Sequence, residues 1–270
     1  MSQPNVKRQP KQSRDELRAL MLEMGRLIVI EDGIGFGIDT LSFKRVFERI
    51  DAETGVKLSN ASIIRRVWDN QADYQADVLA TIAGQDALGE FDETIRALAP
   101  LLDSLDLSTL EARSRSLREV CRVGGSANSF MLLESPNWSM WIAVWAMATA
   151  DNVGSQQTKY QQRIRAALLE GYEGFTTLWE GGYAALAALV GMRVQAPLTL
   201  RQLSVAVGAL AEGCSLRQHV DPHLGMILRP TGPNGEDQEW TLFAIGLEGL
   251  LMHFLEPDPN WSPPSATPPV

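Results

Sequence analysis

The side chains best suited to metal binding are scattered along this chain. His219 and His223 stand four residues apart, a spacing that on a helix would bring two imidazoles to one metal ion. Pro222 lies between them, and only Asp221 is close in sequence as a third ligand. Because a proline interrupts a helix, we expect no metal site here.

The cysteines and glycines also lack the partners that catalysis requires. Cys121 and Cys214 lie far apart in the sequence, so they form no paired zinc spacing, and we expect two small core residues in a reducing compartment. Gly33, Gly35 and Gly37 neither follow a strand nor open a βαβ unit, which argues against a dinucleotide site. We therefore expect no catalytic residue, no cofactor and no enzymatic activity.

A short polar and basic segment after Gly55 offers a different chemistry, because its side chains can bond to nucleic-acid bases or phosphates. The candidates are Ser59, Asn60, Ser62, Arg65 and Arg66. Arginine pairs with guanine edges or phosphates, asparagine pairs with adenine, and serine adapts to either. Lys44, Arg45 and Lys57 are candidate phosphate contacts, which add affinity without sequence choice. Helical hairpins with two arginines also occur in proteins that bind no DNA, so the pattern alone leaves both interpretations open.

The charge distribution favours a nucleic-acid partner at one end of the chain. The formal net charge is −9, but residues 1–66 hold twelve Lys and Arg against nine Asp and Glu, a net charge of +3. Such asymmetry is typical of a chain in which only one end meets phosphates, and equally of a solvated basic tail.

The elements that must position these residues have helical periodicity. The pattern predicts a first helix from a Ser13–Glu16 capping box, a second that ends at Gly55, a third that begins at Ser59, and a fourth from an Asn70–Asp73 cap to Gly84. Further helical patterns cover residues 86–102, 108–121, 137–150, 156–190, 199–219 and 239–255. Residues 221–238 are rich in proline and glycine and predict a loop. We find no strand pairs, so the predicted fold is all-α.

Residues 41–64 predict a helix-turn-helix, in which the second helix enters the major groove. Three domains follow: residues 1–84 as a helix-turn-helix DNA-binding domain with a basic N-terminal tail, residues 85–256 as a larger helical ligand-sensing and dimerisation domain, and residues 257–270 as a proline-rich disordered tail.

A resemblance to the N-terminal domain of TetR-type transcriptional regulators is carried by the segment FKRVFERIDAETGVKLSNASIIRRVWDNQADYQADVL. Gly55 and Val56 match the Gly-Val step before the recognition helix of that family, and Trp68 matches its late aromatic residue. The stretch from Gly55 to Trp68 is longer than is usual in the family. The resemblance implies a homodimer that binds a pseudo-palindromic double-stranded DNA operator, as a repressor that responds to a small hydrophobic effector.

The C-terminal part is similar, more weakly, to the effector and dimerisation domain of these regulators. Aromatic and methionine side chains suggest an apolar pocket, or simply a filled core; they are Phe130, Met131, Trp138, Trp141, Trp145, Phe175, Trp179 and Tyr183. In the family the last two long helices pair with those of a second copy. Candidates for that interface, which could equally pack within one chain, are Leu203, Ala206, Leu210, Leu242, Ile245, Gly249, Leu250 and Phe254.

The chain has no long apolar stretch. Its longest run, residues 140–150, falls short of the roughly 18 to 20 residues that cross a bilayer, and its N-terminus does not resemble a secretory signal. We expect a cytoplasmic protein without a membrane partner. Two alternatives to a regulator remain: an all-helical small-molecule-binding protein or enzyme, and a helical adaptor that has lost DNA binding.

Overall fold

The structure, a computed structural model, describes residues 13–33, 41–59, 63, 66–84, 87–150 and 158–262. Within them lie nine helices: α1 (Arg14–Asp32), α2 (Phe43–Thr54), α3 (Gln71–Gly84), α4 (Ala87–Leu102), α5 (Leu110–Glu134), α6 (Pro136–Thr149), α7 (Lys159–Leu189), α8 (Leu200–Val220) and α9 (Leu242–Phe254). Four short strands accompany them: β1 (Met192–Val194), β2 (Ile227–Pro230), β3 (Asp237–Trp240) and β4 (Leu255–Pro257). The protein is mostly helical, as the periodicity predicts.

The chain divides into two compact units. Unit 1 comprises Met1–Gln85 and Pro136–Glu170, and unit 2 comprises Asp86–Ser135 and Gly171–Val270. Helix α7 contributes its first part to unit 1 and the remainder to unit 2.

Residues 136–170 group differently from the sequence-based division, which placed them in the C-terminal domain. Val144 and Ala148 of α6, with Ile164 and Leu168 of α7, belong to the same buried core as α1, α2 and α3. Apolar periodicity shows that a helix buries one face, but it does not identify the partner. This is why the sequence did not assign α6 to the N-terminal helices.

The first helices begin and end where local sequence signals place them. The Ser13 Oγ accepts a hydrogen bond from the Glu16 N–H (3.1 Å), and the Glu16 carboxylate accepts one from the Ser13 N–H (2.8 Å), which confirms the capping box. Helix α2 ends at Gly55. The Asn70 side chain accepts from the Asp73 N–H (3.0 Å) at the start of α3, as predicted.

Helix α5 is longer than predicted. The sequence pattern ended it at residue 121, but it continues through Gly124 and Gly125 to Glu134. A Cβ on Gly125 would lie 2.7 Å from the Cα of Ala244 in α9. The glycine therefore allows two helices to approach closely, and tertiary packing outweighs its poor helix propensity.

The prediction of no strand pairs is wrong. Strands β2 and β3 form an antiparallel hairpin within the predicted loop, with Ile227 opposite Trp240 and Pro230 opposite Asp237. Its turn contains Gly235 at a φ of 84°. The proline and glycine content that predicted a loop marks the turn of this hairpin, because glycine adopts positive φ without steric cost.

The C-terminal segment is also more ordered than predicted as far as Ser262. Strand β4 pairs with β1 in an antiparallel register that sets Val194 opposite Leu255. The Trp261 indole donates a hydrogen bond to the Ala188 carbonyl (2.8 Å), and the Arg113 guanidinium lies 4.3 Å from its ring centre. The disordered-tail prediction is therefore wrong for residues 257–262, and residues 263–270 lie outside the described residues.

Candidate functional site

The start of α2 is fixed against the start of α3. The Ser42 side chain caps α2. The Gln71 side chain accepts a hydrogen bond from the Phe43 N–H (3.2 Å), and the Gln75 side chain donates one to the buried Leu41 carbonyl (2.9 Å). Because both glutamines belong to the first turns of α3, these bonds hold the two helices in one relative position.

The chain leaves α2 through a left-handed residue, Gly55, with φ 71° and ψ 8°. A residue with a Cβ would be strained in this conformation. After it, Val56 and Leu58 pack against the core of unit 1, whereas Lys57 and Ser59 are exposed. The connection thus partly buries its apolar residues and presents its polar ones to solvent.

The segment predicted to contact bases is anchored at two described residues. Ile63 is fully buried, and its carbonyl accepts a hydrogen bond from the Val67 N–H (3.0 Å) as in a helical turn. Trp68 is also buried. Arg66 is half-buried and already interacts within the protein. Three of the predicted base-contacting residues lie outside the described residues: Asn60, Ser62 and Arg65.

The predicted phosphate contacts differ in how available their charges are. The Lys44 side chain is 84% exposed, with its Nζ 3.8 Å from a Glu48 carboxylate oxygen. Lys57 is exposed. The Arg45 guanidinium, in contrast, forms an ion pair with Asp32 of α1. Arg45 must leave this carboxylate before it can bind a phosphate, so Lys44 and Lys57 are the better candidates.

Asp77 of α3 holds Trp68 in place. Its carboxylate accepts hydrogen bonds from the Trp68 indole (2.8 Å), from Arg18 of α1 (2.8 Å) and from Arg163 of α7 (2.7 Å). The Asp77 side chain is 14% exposed. Sequence reasoning missed this cluster because its members are distant in the chain, so no local spacing brings them together.

Unit 2 contains a cavity of about 500 Å³, lined by residues of α4, α5, α7, α8 and α9. Its volume lies within the range of small-molecule pockets. Three of the predicted pocket residues line it: Phe175, Trp179 and Tyr183. Their rings follow one another along α7, with Phe175 tilted against Trp179 at 6.0 Å and Trp179 stacked on Tyr183 at 5.5 Å. Their four-residue spacing places them on one face of α7.

The remaining predicted pocket residues lie elsewhere. Trp138 and Trp141 stack on each other at 5.0 Å on α6, in unit 1, and Trp145 of the same helix is 41% exposed. On α5, Phe130 is 44% exposed and Met131 is half-buried, and neither is among the described residues that line the cavity. None of these five residues is among the described residues that line this cavity. Helical spacing alone does not separate one core from another.

The cavity is apolar, with a few uncharged polar groups. Among the described residues that line it, none is charged. Asn128, Tyr183 and Cys121 are all nine-tenths or more buried. Burial raises the pKa of both the Tyr183 hydroxyl and the Cys121 thiol, so both groups are neutral at physiological pH.

The residues predicted for dimer contacts fall into three groups. Leu203 and Phe254 are buried inside the protomer and contribute to its core instead. Half-buried residues are Ala206, Leu210, Ile245 and Leu250. Leu242 and Gly249 are exposed.

Helices α8 and α9 each expose apolar side chains, which together we call the α8–α9 face. On α8 the exposed side chains are those of Val205 (55%), Leu216 (49%) and Val220 (83%). On α9 they are those of Leu242 (42%) and Met252 (51%). Exposed apolar residues in contiguous stripes are typical of protein interaction sites. The sequence missed most of them, because both sides of these helices are apolar and periodicity did not show which side is covered.

The two histidines considered as metal ligands, His219 and His223, lie at the end of α8 and just beyond it. Helix α8 ends at Val220, and Asp221 forms its cap. The His219 Nδ1 lies 3.0 Å from the Ser215 carbonyl oxygen, and the His223 N–H donates to the Asp221 carboxylate. In the described residues no three His, Cys, Asp or Glu side chains are grouped so as to hold a metal ion.

No protein-family model matches this chain, and no curated protein matches its sequence. No helix in the described part is both long enough and apolar enough to cross a bilayer.

Proposed function

We propose that this protein is a sequence-specific DNA-binding regulator of transcription, similar to TetR-type regulators. It acts in the cytoplasm as a homodimer on a pseudo-palindromic operator, represses transcription, and is released by a small hydrophobic effector. It is not an enzyme in this proposal.

The observation that carries the proposal is the connection between α2 and α3. A capped, amphipathic helix ends at a left-handed Gly55, and the following segment is tied to the core at Ile63 and Trp68. Exposed lysines flank this segment at Lys44 and Lys57. A helix-turn-helix reader needs such a fixed support with cations around it, since phosphate contacts set its register on the duplex.

The α8–α9 face supports the homodimer. Two inverted half-sites on one face of B-DNA lie about 34–36 Å apart, so one operator needs two heads related by a twofold axis. A twofold interface places the same surface of each copy against the other. The α8–α9 face offers an apolar surface for this contact, and the cavity offers a place for an effector.

The proposal is tested by selecting a duplex from a random pool and measuring its affinity for the full chain against salt. Affinity should fall steeply between about 50 and 200 mM salt, because bound phosphates release counterions. Replacing Arg65 and Arg66 together by alanine should abolish selective binding and leave the oligomeric state unchanged. Arg115, which is exposed in unit 2, provides a control of like charge, and Arg115→Ala should bind as the wild type. Equal operator binding by the double variant would remove the site assignment.

A second candidate function is a ligand-binding protein that uses the cavity and no DNA. The cavity of about 500 Å³ favours it directly. Saturable binding of an apolar compound, combined with the absence of any selected duplex, would support this candidate over the regulator.

A further inference from the structure

The cavity of unit 2 discriminates by charge. Its described lining consists of aliphatic, aromatic and small residues and a few uncharged polar ones, with no acidic or basic side chain. A charged ligand group that entered this lining would lose its hydration without gaining an ion-pair partner, and that loss is far larger than for a neutral polar group. The cavity therefore selects against charged molecules.

Two neutral polar side chains in the cavity are available to a ligand. Asn128 is 8% exposed and Tyr183 is 5% exposed, and both line the cavity. Neither the Asn128 carboxamide nor the Tyr183 hydroxyl hydrogen-bonds to another group in the described part of the chain. Buried polar groups are nearly always bonded in folded proteins, so two open ones in a single apolar cavity point to a partner that is not part of the chain.

The positions of these groups show that they serve the same space. Asn128 lies two helical turns beyond Cys121 on α5, and Gly124 between them also lines the cavity. Tyr183 lines the same cavity from α7. The amide can donate and accept a hydrogen bond, and so can the hydroxyl. Together they match carbonyl or hydroxyl oxygens.

The cavity also has an opening. Three residues both line the cavity and are exposed to solvent: Ile95 of α4, and Gly181 and Ala185 of α7. A Cβ added to Gly181 would meet no atom within 4 Å. A larger side chain at this position can therefore fill the opening without displacing neighbouring atoms of the protein.

We infer that this cavity binds an uncharged, mainly hydrocarbon molecule with carbonyl or hydroxyl oxygens, which hydrogen-bond to Asn128 and Tyr183. The inference rests on the proposed function, in which this molecule is the effector of the regulator. Its chemical class follows from the cavity alone.

The test uses pairs of probes that differ in charge and share a carbon skeleton: 2-decanone with decanoate, and 2-acetylnaphthalene with 2-naphthoate. Binding to the full chain is measured by isothermal titration calorimetry at pH 7 without DNA. At least one ketone should bind saturably, and its paired carboxylate should bind at least about a hundredfold more weakly. Equal or tighter binding of the carboxylates, or no saturable binding of either ketone, would overturn the inference.

Two variants test the hydrogen bonds. Tyr183→Phe and Asn128→Leu remove the polar groups, and at least one should weaken the ketone about three- to tenfold. Because the Tyr183 hydroxyl has no hydrogen bond to any residue that the structure describes, Tyr183→Phe should keep or raise the melting temperature. Unchanged ketone affinity in both variants, or a lower melting temperature in Tyr183→Phe, would contradict the assignment.

Two glycine variants on one helix test the opening. Gly181→Leu should lower ketone affinity at least tenfold. Gly174→Leu is the matched control, because Gly174 is exposed on α7, has no atom within 4 Å of an added Cβ and does not line the cavity. Equal affinity in both variants would overturn the location. Since DNA is absent from these measurements, a failure of the ligand class and a failure of DNA binding give separate results.

Discussion

The proposed homodimer can be broken by one charge on the α8–α9 face. Gly249 is exposed on α9, one of the two helices of the α8–α9 face, and an added Cβ meets no atom within 4 Å in the protomer. Gly249→Glu should therefore leave the protomer folded, and replacing a helical glycine can even stabilise the helix by up to about 1 kcal/mol. The dimer, in contrast, should become less stable.

The magnitude follows from the symmetry of the contact. Burying an unpaired charge in an interface costs about 2–5 kcal/mol, and a twofold axis introduces the glutamate twice. The dimer should therefore lose at least about 4 kcal/mol, which corresponds to roughly a thousandfold higher dissociation constant.

Sedimentation equilibrium over a range of protein concentrations measures this constant directly. The matched control is Gly174→Glu, which places the same charge on an exposed helical glycine with equally open surroundings. We expect the control to dimerise as the wild type, and both variants to keep or raise the wild-type melting temperature at low protein concentration. A Gly249→Glu protein that dimerises like its control would refute the assignment of this face.

Three further predictions concern stability. Asp77→Ala leaves the buried Trp68 indole without its acceptor, at a cost of about 1–3 kcal/mol, and removes two screened arginine pairs worth under about 1 kcal/mol each. Urea unfolding should therefore show a free energy of unfolding lower by about 2–4 kcal/mol. A decrease below about 1 kcal/mol would contradict the role of this carboxylate. Burial raises the pKa of Glu212, so its carboxyl group binds a proton more tightly in the folded protein than in the unfolded chain. The stability of the fold therefore falls as pH rises from the ordinary glutamate pKa, about 4.3, through the raised value. Glu212→Gln should accordingly be more stable than the wild type at pH 8, with an advantage that disappears below about pH 4; an advantage independent of pH would point to another cause. Gly125→Leu should lower thermal stability by about 1–3 kcal/mol or more, because its side chain meets the backbone of α9, whereas Gly174→Leu should lower it little or not at all.

The sequence predicted best those features that depend on neighbouring residues. The Ser13–Glu16 capping box and the end of α2 at Gly55 require only residues within one or two turns. Their positions follow from local hydrogen bonding and from the φ that glycine alone adopts easily. Both could therefore be predicted from the sequence without knowledge of the tertiary fold.

Features that depend on distant partners were missed or misplaced. The residue pairs Phe175–Trp179 and Trp138–Trp141 have similar helical spacings, yet the first pair lines the cavity of unit 2 and the second packs in unit 1. The continuation of α5 through Gly125 depends on contact with α9. Periodicity shows that a face is buried, but only packing shows what it is buried against.

Two helical glycines of unit 2 have a practical consequence for anyone who wishes to make this protein more robust. Gly181 and Gly249 face open space, with no atom within 4 Å of an added Cβ. Replacing each by alanine would look like a safe gain of up to about 1 kcal/mol in helix stability. In the proposed regulator, however, a methyl group at Gly181 would narrow the opening of the cavity, and one at Gly249 would enter the contact with the second copy. A gain in thermal stability at these two positions would therefore be accompanied by weaker ligand binding or weaker dimerisation.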